Sequence, residues 1–159
     1  MKNLDLPNEN IKNLSRLTRN LTKVLLNSFD LARKRGSREV TPKDIFTAIL
    51  NNSNCIASRL LVRLGMDLDE TLKSLEQEYS VNELINFAPE LGESARHLLT
   101  RSYLIASELG HVYVGTEHML LAIMQEEEQE FVKELSANGL GYEFVKGAIL
   151  NFGVYQPGV

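Results

Sequence analysis

The residues best suited to chemistry gather in two short stretches. One is Gly115-Thr116-Glu117-His118, with His111 a little upstream, and the other is Thr41-Pro42-Lys43-Asp44. A carboxylate such as Glu117 just inside a helix start can grip a guanidinium in bidentate fashion while neighbouring backbone N–H groups take an anion. An acid in the first turn also stabilises the helix dipole without touching a ligand, and both readings stand. Thr116 and Gly115 compete for the role of helix cap. His111 and His118 can share a side only if the turn between them allows it. Two histidines without a third ligand make a poor metal site, so His118 is expected to pack or cap and no metal is predicted. His97 reads as a surface residue.

Other chemistries lack their constellations. Glu117-His118 does not have the His-Glu-x-x-His spacing of a metalloprotease, and no Gly-x-x-x-x-Gly-Lys-Ser/Thr loop is present to cradle a nucleotide. No Gly-x-Ser-x-Gly elbow offers a nucleophile. Cys55 is the only cysteine, which rules out an internal disulfide. Among Ile56, Leu60 and Leu61 it is expected to pack as a small hydrophobe in a reducing compartment. The chain is therefore read as a non-enzyme with no cofactor.

The elements that must position these residues are helices. Leu14, Leu17, Leu21, Val24, Leu25, Ser28 and Ala32 recur at steps of three and four and predict one long amphipathic helix. Arg33-Lys34-Arg35-Gly36 closes it, with cations at the negative end of the dipole and a glycine just beyond. Arg38 extends this basic cluster, whose alternative role is to bind an acidic partner. Thr41 then caps a second helix with Pro42 at its first position. Ile56 to Leu64 form a third, closing at Gly65. Leu68, Leu72, Leu75 and Tyr79 form a fourth, with Asp67 as its cap. The only β-like triplet, Val112-Tyr113-Val114, is too short for a sheet.

The chain then reads a second time. Shifted by 74 positions it meets itself at Leu25/Leu99, Ser28/Ser102, Ala32/Ala106, Gly36/Gly110, Val40/Val114, Ala48/Ala122, Ile49/Ile123, Leu61/Leu135 and Gly65/Gly139, among others. Self-similarity of this kind means two copies of one helical unit. The predicted fold is all-α, with about eight helices in two tandem four-helix repeats that share one core. Residues 1–13 read as a flexible leader, 14–79 as repeat 1, 80–92 as a linker, 93–152 as repeat 2 and 153–159 as a tail. Met119 and Met124 are expected in the core. The acidic run Glu126-Glu127-Glu128-Gln129-Glu130 reads either as a solvated face or as a docking patch.

Bulk properties narrow the class. The 159 residues are 43% apolar with a net charge of −4 and a pI near 5.4. A mildly acidic surface argues against nucleic acid, which favours basic partners. No apolar run approaches the roughly 20 residues of a membrane span, and residues 1–13 lack the apolar core of a signal peptide. A cytoplasmic location follows.

The run Glu108-Leu109-Gly110-His111-Val112-Tyr113-Val114-Gly115-Thr116-Glu117-His118-Met119-Leu120-Leu121 resembles the signature of the Clp N-terminal repeat domain. In that family a helix ends in Leu-Gly-His, a Tyr-Val-Gly turn follows, and Thr-Glu-His-Ile-Leu-Leu opens the next helix. The resemblance covers residues 14–152 and implies a monomeric, non-catalytic module at the front of an AAA+ unfoldase. It implies docking of substrate or adaptor proteins, arginine-phosphorylated proteins among them in some members. It also admits a stand-alone accessory subunit that contacts a Clp ATPase or peptidase ring without touching substrate. The acid that meets a guanidinium in phosphoarginine-binding members corresponds to Glu117 in repeat 2 and to Lys43, of opposite charge, in repeat 1. The phosphate-holding Thr at the start of the long helix corresponds to Thr18 in repeat 1 and to Gly92 in repeat 2, so neither repeat keeps both. The resemblance thus marks Glu117, Thr116, Gly115, His118, Thr18 and Lys43 as candidate contacts.

Overall fold

The computed structural model describes residues 16–79 and 88–151. The leader at 1–13, the tail at 153–159 and most of the linker at 80–92 lie outside the described residues. In chain order the elements are α1 (Arg19–Lys34), β1 (Glu39–Val40), α2 (Pro42–Asn51), α3 (Ile56–Arg63), α4 (Leu68–Glu76), β2 (Glu90–Leu91), α5 (Glu93–Glu108), α6 (Thr116–Met124), α7 (Glu130–Ala137) and α8 (Tyr142–Leu150). The all-α expectation holds, with the four helices of each repeat in the same order.

Local chemistry sets the helix limits. α1 starts at Arg19, later than its apolar periodicity suggests, because Thr18 is extended and caps it. Thr18 Oγ1 accepts the Leu21 N–H at 3.1 Å. Leu17, which carries the same period, belongs to a bridge outside the helix. At the far end Gly36 has φ +71° and Gly110 has φ +75°. The Ser37 N–H closes back to the Ala32 carbonyl at 2.9 Å, and the His111 N–H to that of Ala106 at 2.8 Å. Both helices thus end in the left-handed cap that glycine tolerates best. Asp67 caps α4 by accepting the Glu70 N–H at 3.1 Å.

α6 is buried on every side from Thr116 to Met124, and α2 is buried from Asp44 to Leu50. These two short helices form the centre of the molecule, with the apolar runs 45–50 (Thr47 apart) and 119–124 turned into the core on every side. α1 packs along α2 and α5 along α6, with cross-contacts α1 to α6 and α2 to α5 joining the halves. Met119, Met124 and Cys55 lie in this core.

The repeats also exchange backbone. β1 pairs in parallel with β2, Glu39 opposite Glu90 and Val40 opposite Leu91. Leu17 bridges Val114 in the same sense. Leu17/Leu91 and Val40/Val114 are both separated by 74 positions, so the turn of each repeat pairs with the lead-in strand of the other. The triplet Val112-Tyr113-Val114 contributes only the single bridge at Val114, and the paired two-residue strands lie elsewhere, with β2 in the segment that leads into α5.

Candidate functional site: two crossed pairs of helix starts

Strand exchange places the start of α2 beside the start of α5, and the start of α6 beside the start of α1. The Gly92 N–H donates to the Val40 carbonyl at 3.1 Å, and the Thr18 N–H to that of Val114 at 2.9 Å. The comparison of features within one repeat is therefore corrected. Thr18 and the Glu117 segment, assigned to different repeats, meet at one end of the molecule. Lys43 and Gly92 meet at the other.

At the α2 end, Asp44 is fully buried. Its carboxylate accepts the Thr41 N–H at 2.8 Å, Arg35 Nε and Nη2 at 3.0 and 2.7 Å, and the Tyr79 hydroxyl at 2.6 Å. A buried carboxylate needs this many donors, because an uncompensated charge in the core is costly. The hydrogen bond and charge of Asp44 hold the Arg35 guanidinium more firmly protonated. Burial, reinforced by Asp44, raises the Tyr79 phenol well above its usual value. Arg35 is thus part of an internal clamp and does more than complement the α1 dipole. Burial lowers the ammonium of Lys43.

The equivalent position in repeat 2 is His118, also fully buried. Its Nδ1 accepts the Gly115 N–H at 2.9 Å, the same capping bond that Asp44 makes to Thr41. The proton of the neutral ring is therefore on Nε2, which donates to His111 Nδ1 at 2.8 Å. Burial, followed by the charge of His111, pushes His118 down to about 3, and burial lowers His111. The turn does bring the two histidines together, and His118 caps. Among the described residues no group of three His, Cys, Asp or Glu side chains stands close enough to hold a metal.

The remaining candidates at this end are also inside. Thr116 is fully buried and its Oγ1 accepts the Ala57 N–H at 3.1 Å, tying α6 to the start of α3. Gly115, with an extended backbone, is the cap residue of α6. Glu117 is only 1% exposed and folds back over Gly115. Thr18 is 4% exposed. Lys43 alone of the six candidates is half-buried and lines an open cleft of about 580 Å³. Glu39, Glu93 and Ser94 around the start of α5, Arg35 and Asp44 of the clamp, Tyr79 after α4 and Gln129 before α7 also line it. Sequence reasoning missed Tyr79 and Gln129, since nothing local marks them. Asp44 was signalled by its place three residues after the cap Thr41. In the acidic run Glu126 pairs with Arg101 at 3.5 Å, while Glu127, Glu128 and Glu130 are exposed.

Two interlocked four-helix units with crossed helix starts define a tandem-repeat helical domain. The chain belongs to the Clp repeat (R) N-terminal domain family, whose sequence profile matches residues 16–138. It is 26% identical over 139 residues to the negative regulator of genetic competence ClpC/MecB of Bacillus subtilis (strain 168), covering 85% of this chain and 17% of that protein. It is 30% identical over 118 residues to the chloroplastic chaperone protein ClpC2 of Arabidopsis thaliana, covering 71% and 12%. The chain thus spans less than a fifth of the length of these relatives. The N-domain of ClpV from Vibrio cholerae has the same fold, with a TM-score of 0.74 at 18% identity over 92% of this chain and 90% of that one. A complex of a ClpV N-domain with a VipB peptide gives 0.71 at 19% identity, covering 92% of each chain. No helix among the described residues is long and apolar enough to cross a membrane.

Proposed function

We propose that this chain is a non-catalytic docking domain that presents segments of substrate or adaptor proteins to a Clp-type AAA+ unfoldase. The observation that carries the reading is the open cleft where α2 and α5 begin side by side, with half-buried Lys43 on its wall. Helix starts offer backbone N–H groups to a polar ligand, and the desolvated ammonium of Lys43 strengthens any anionic contact. Family membership and the peptide-bound ClpV N-domain support the same reading. The domain acts as a cytoplasmic monomer, and the cleft is its principal face.

The second pair of helix starts, with Thr18, Gly115, Thr116, Glu117 and His118, carries the finer proposal of an arginine-phosphorylated ligand. Thr18 and Glu117 supply the phosphate and guanidinium contacts there. Their burial requires the Glu117 side chain to swing off Gly115 before a ligand enters.

The test is titration of isotopically labelled protein with free phosphoarginine, with arginine and inorganic phosphate as controls and casein as an unfolded protein probe. Saturable amide shifts at Lys43 and Gly92–Ser94 are expected with casein and lost in Lys43→Glu. Shifts at Thr18 and Gly115–Met119 with phosphoarginine alone identify the second face as a reader of that group. Silence toward every probe at millimolar concentration overturns the docking reading.

A further inference from the structure

A separate trough lies between α4 and α7, on the line where the two repeats meet, and encloses about 420 Å³. Its floor is apolar. Phe46 of α2 stacks on Phe131 of α7 with ring centroids 5.0 Å apart, and Leu75 and Leu135 extend the surface to either side. Its rim is acidic. Asp67, the cap of α4, and Glu70 in its first turn line the opening together with Glu134 of α7, and all three are exposed. Among the described residues no Lys, Arg or His lines the trough. Lys43, whose ammonium feels Glu134, belongs to the neighbouring cleft.

The three acids are not part of the shared repeat unit. At the equivalent positions the other repeat has Gly141 for Asp67, Phe144 for Glu70 and Leu60 for Glu134. The four-helix unit therefore forms without charge at any of these places. An apolar floor takes an apolar side chain, and a ring of carboxylates selects cations beside it. The volume falls within the range of small ligand pockets.

We infer that this trough is a second docking surface, for a segment of a partner protein with a large apolar side chain flanked by Lys or Arg. Charge complementarity fixes the class of occupant. The chain's own residues 152–159, Phe-Gly-Val-Tyr-Gln-Pro-Gly-Val, carry no charge and do not match the rim. The apolar residue seats beside the half-buried Leu64 and Met66 and the edge of Phe131, and its cationic neighbours pair with Glu70 and Glu134. This surface is independent of the α2–α5 cleft.

The probe is a fluorescein-labelled peptide of alternating Lys and Leu, followed by anisotropy, with a peptide of alternating Glu and Leu as control. The Lys peptide binds, the Glu peptide does not, and amide shifts centre on Gly65, Thr71 and Asn138. Glu70→Lys with Glu134→Lys weakens binding by about tenfold or more, as loss of paired charges does. Glu127→Lys with Glu128→Lys makes the same change in net charge on the exposed junction before α7 and leaves affinity within about twofold, since distant exposed charges are screened. Glu70→Gln with Glu134→Gln, a milder pair that preserves the fold, gives an intermediate loss. Lys43→Glu does not weaken binding, which separates this surface from the cleft. Equal weakening by both reversed pairs reduces the effect to bulk charge and overturns the inference. So does a self-association that Glu70→Lys abolishes, because the occupant is then a second copy of the chain.

Discussion

The N–H of Gly115 lies 2.9 Å from Nδ1 of His118, so a neutral imidazole performs at the start of α6 the capping that the Asp44 carboxylate performs at the start of α2. One backbone geometry is satisfied by two chemistries, and each demands its own support. The carboxylate draws in Arg35 and Tyr79, while the imidazole draws in His111.

Stability should depend on pH through His118. Its folded value of about 3 lies below the ordinary value of 6.5. Below pH 6.5 the unfolded chain binds the proton and the folded one does not. The contribution is therefore complete above that pH and is lost as the pH falls toward 3, at up to about 1.4 kcal/mol per pH unit. His118→Asn keeps an acceptor for the Gly115 N–H and removes the titration. Urea melts of both proteins between pH 7 and 4 should converge as the pH falls. Parallel curves would show that His118 protonates freely in the folded state.

Arg35→Met should unfold the α2 end more readily than its position near a helix terminus suggests. The buried Asp44 keeps its hydrogen bonds to Thr41 and Tyr79 but loses its counter-charge. Breaking such a pair costs on the order of 3 kcal/mol. The double variant Arg35→Met with Asp44→Asn should recover part of the loss in the same denaturation measurement. If the single variant costs under half a kcal/mol, the clamp is only peripheral.

Gly110→Ala tests a purely conformational cost. At φ +75° a Cβ would meet nothing within 4 Å. The destabilisation should therefore be the left-handed penalty alone, about 1 kcal/mol. Gly110→Asn should cost less, since asparagine tolerates this region better. Thermal melts that rank Asn below Ala would contradict the account.

Gly115→Ala tests a steric cost in extended backbone. The added methyl would overlap the Glu117 carboxylate folded over it, and because that is the far end of a flexible side chain the cost should lie at the low end of overpacking, about 1 kcal/mol. Glu117→Ala in the same chain should relieve it, and a double-mutant cycle on unfolding free energies reads the coupling. Additive effects would show that Glu117 lies elsewhere in solution.

Much of this molecule is written locally. Thr41-Pro42, Asp67 and the glycines at 36 and 110 set helix limits through bonds that span a few residues, so periodicity and cap chemistry suffice to read them. The register of 74 positions in the sequence determined that two like units must share a core. The burial of α6 follows from its unbroken apolar run. The family resemblance was legible for a similar reason, in the contiguous run around Glu117.

Only the tertiary structure decided which ends meet. Leu17 with Val114 and Val40 with Leu91 are pairings between repeats, and no local periodicity encodes which partner a two-residue strand will choose. That exchange carries Thr18 to the Glu117 end and Gly92 to the Lys43 end, and it brings Tyr79 to Asp44 across 35 positions. It also buries Glu117 and leaves Lys43 at an open cleft. Residue type fixed the charge at each place, but accessibility is a property of packing and is settled only when distant segments close over one start and leave the other uncovered.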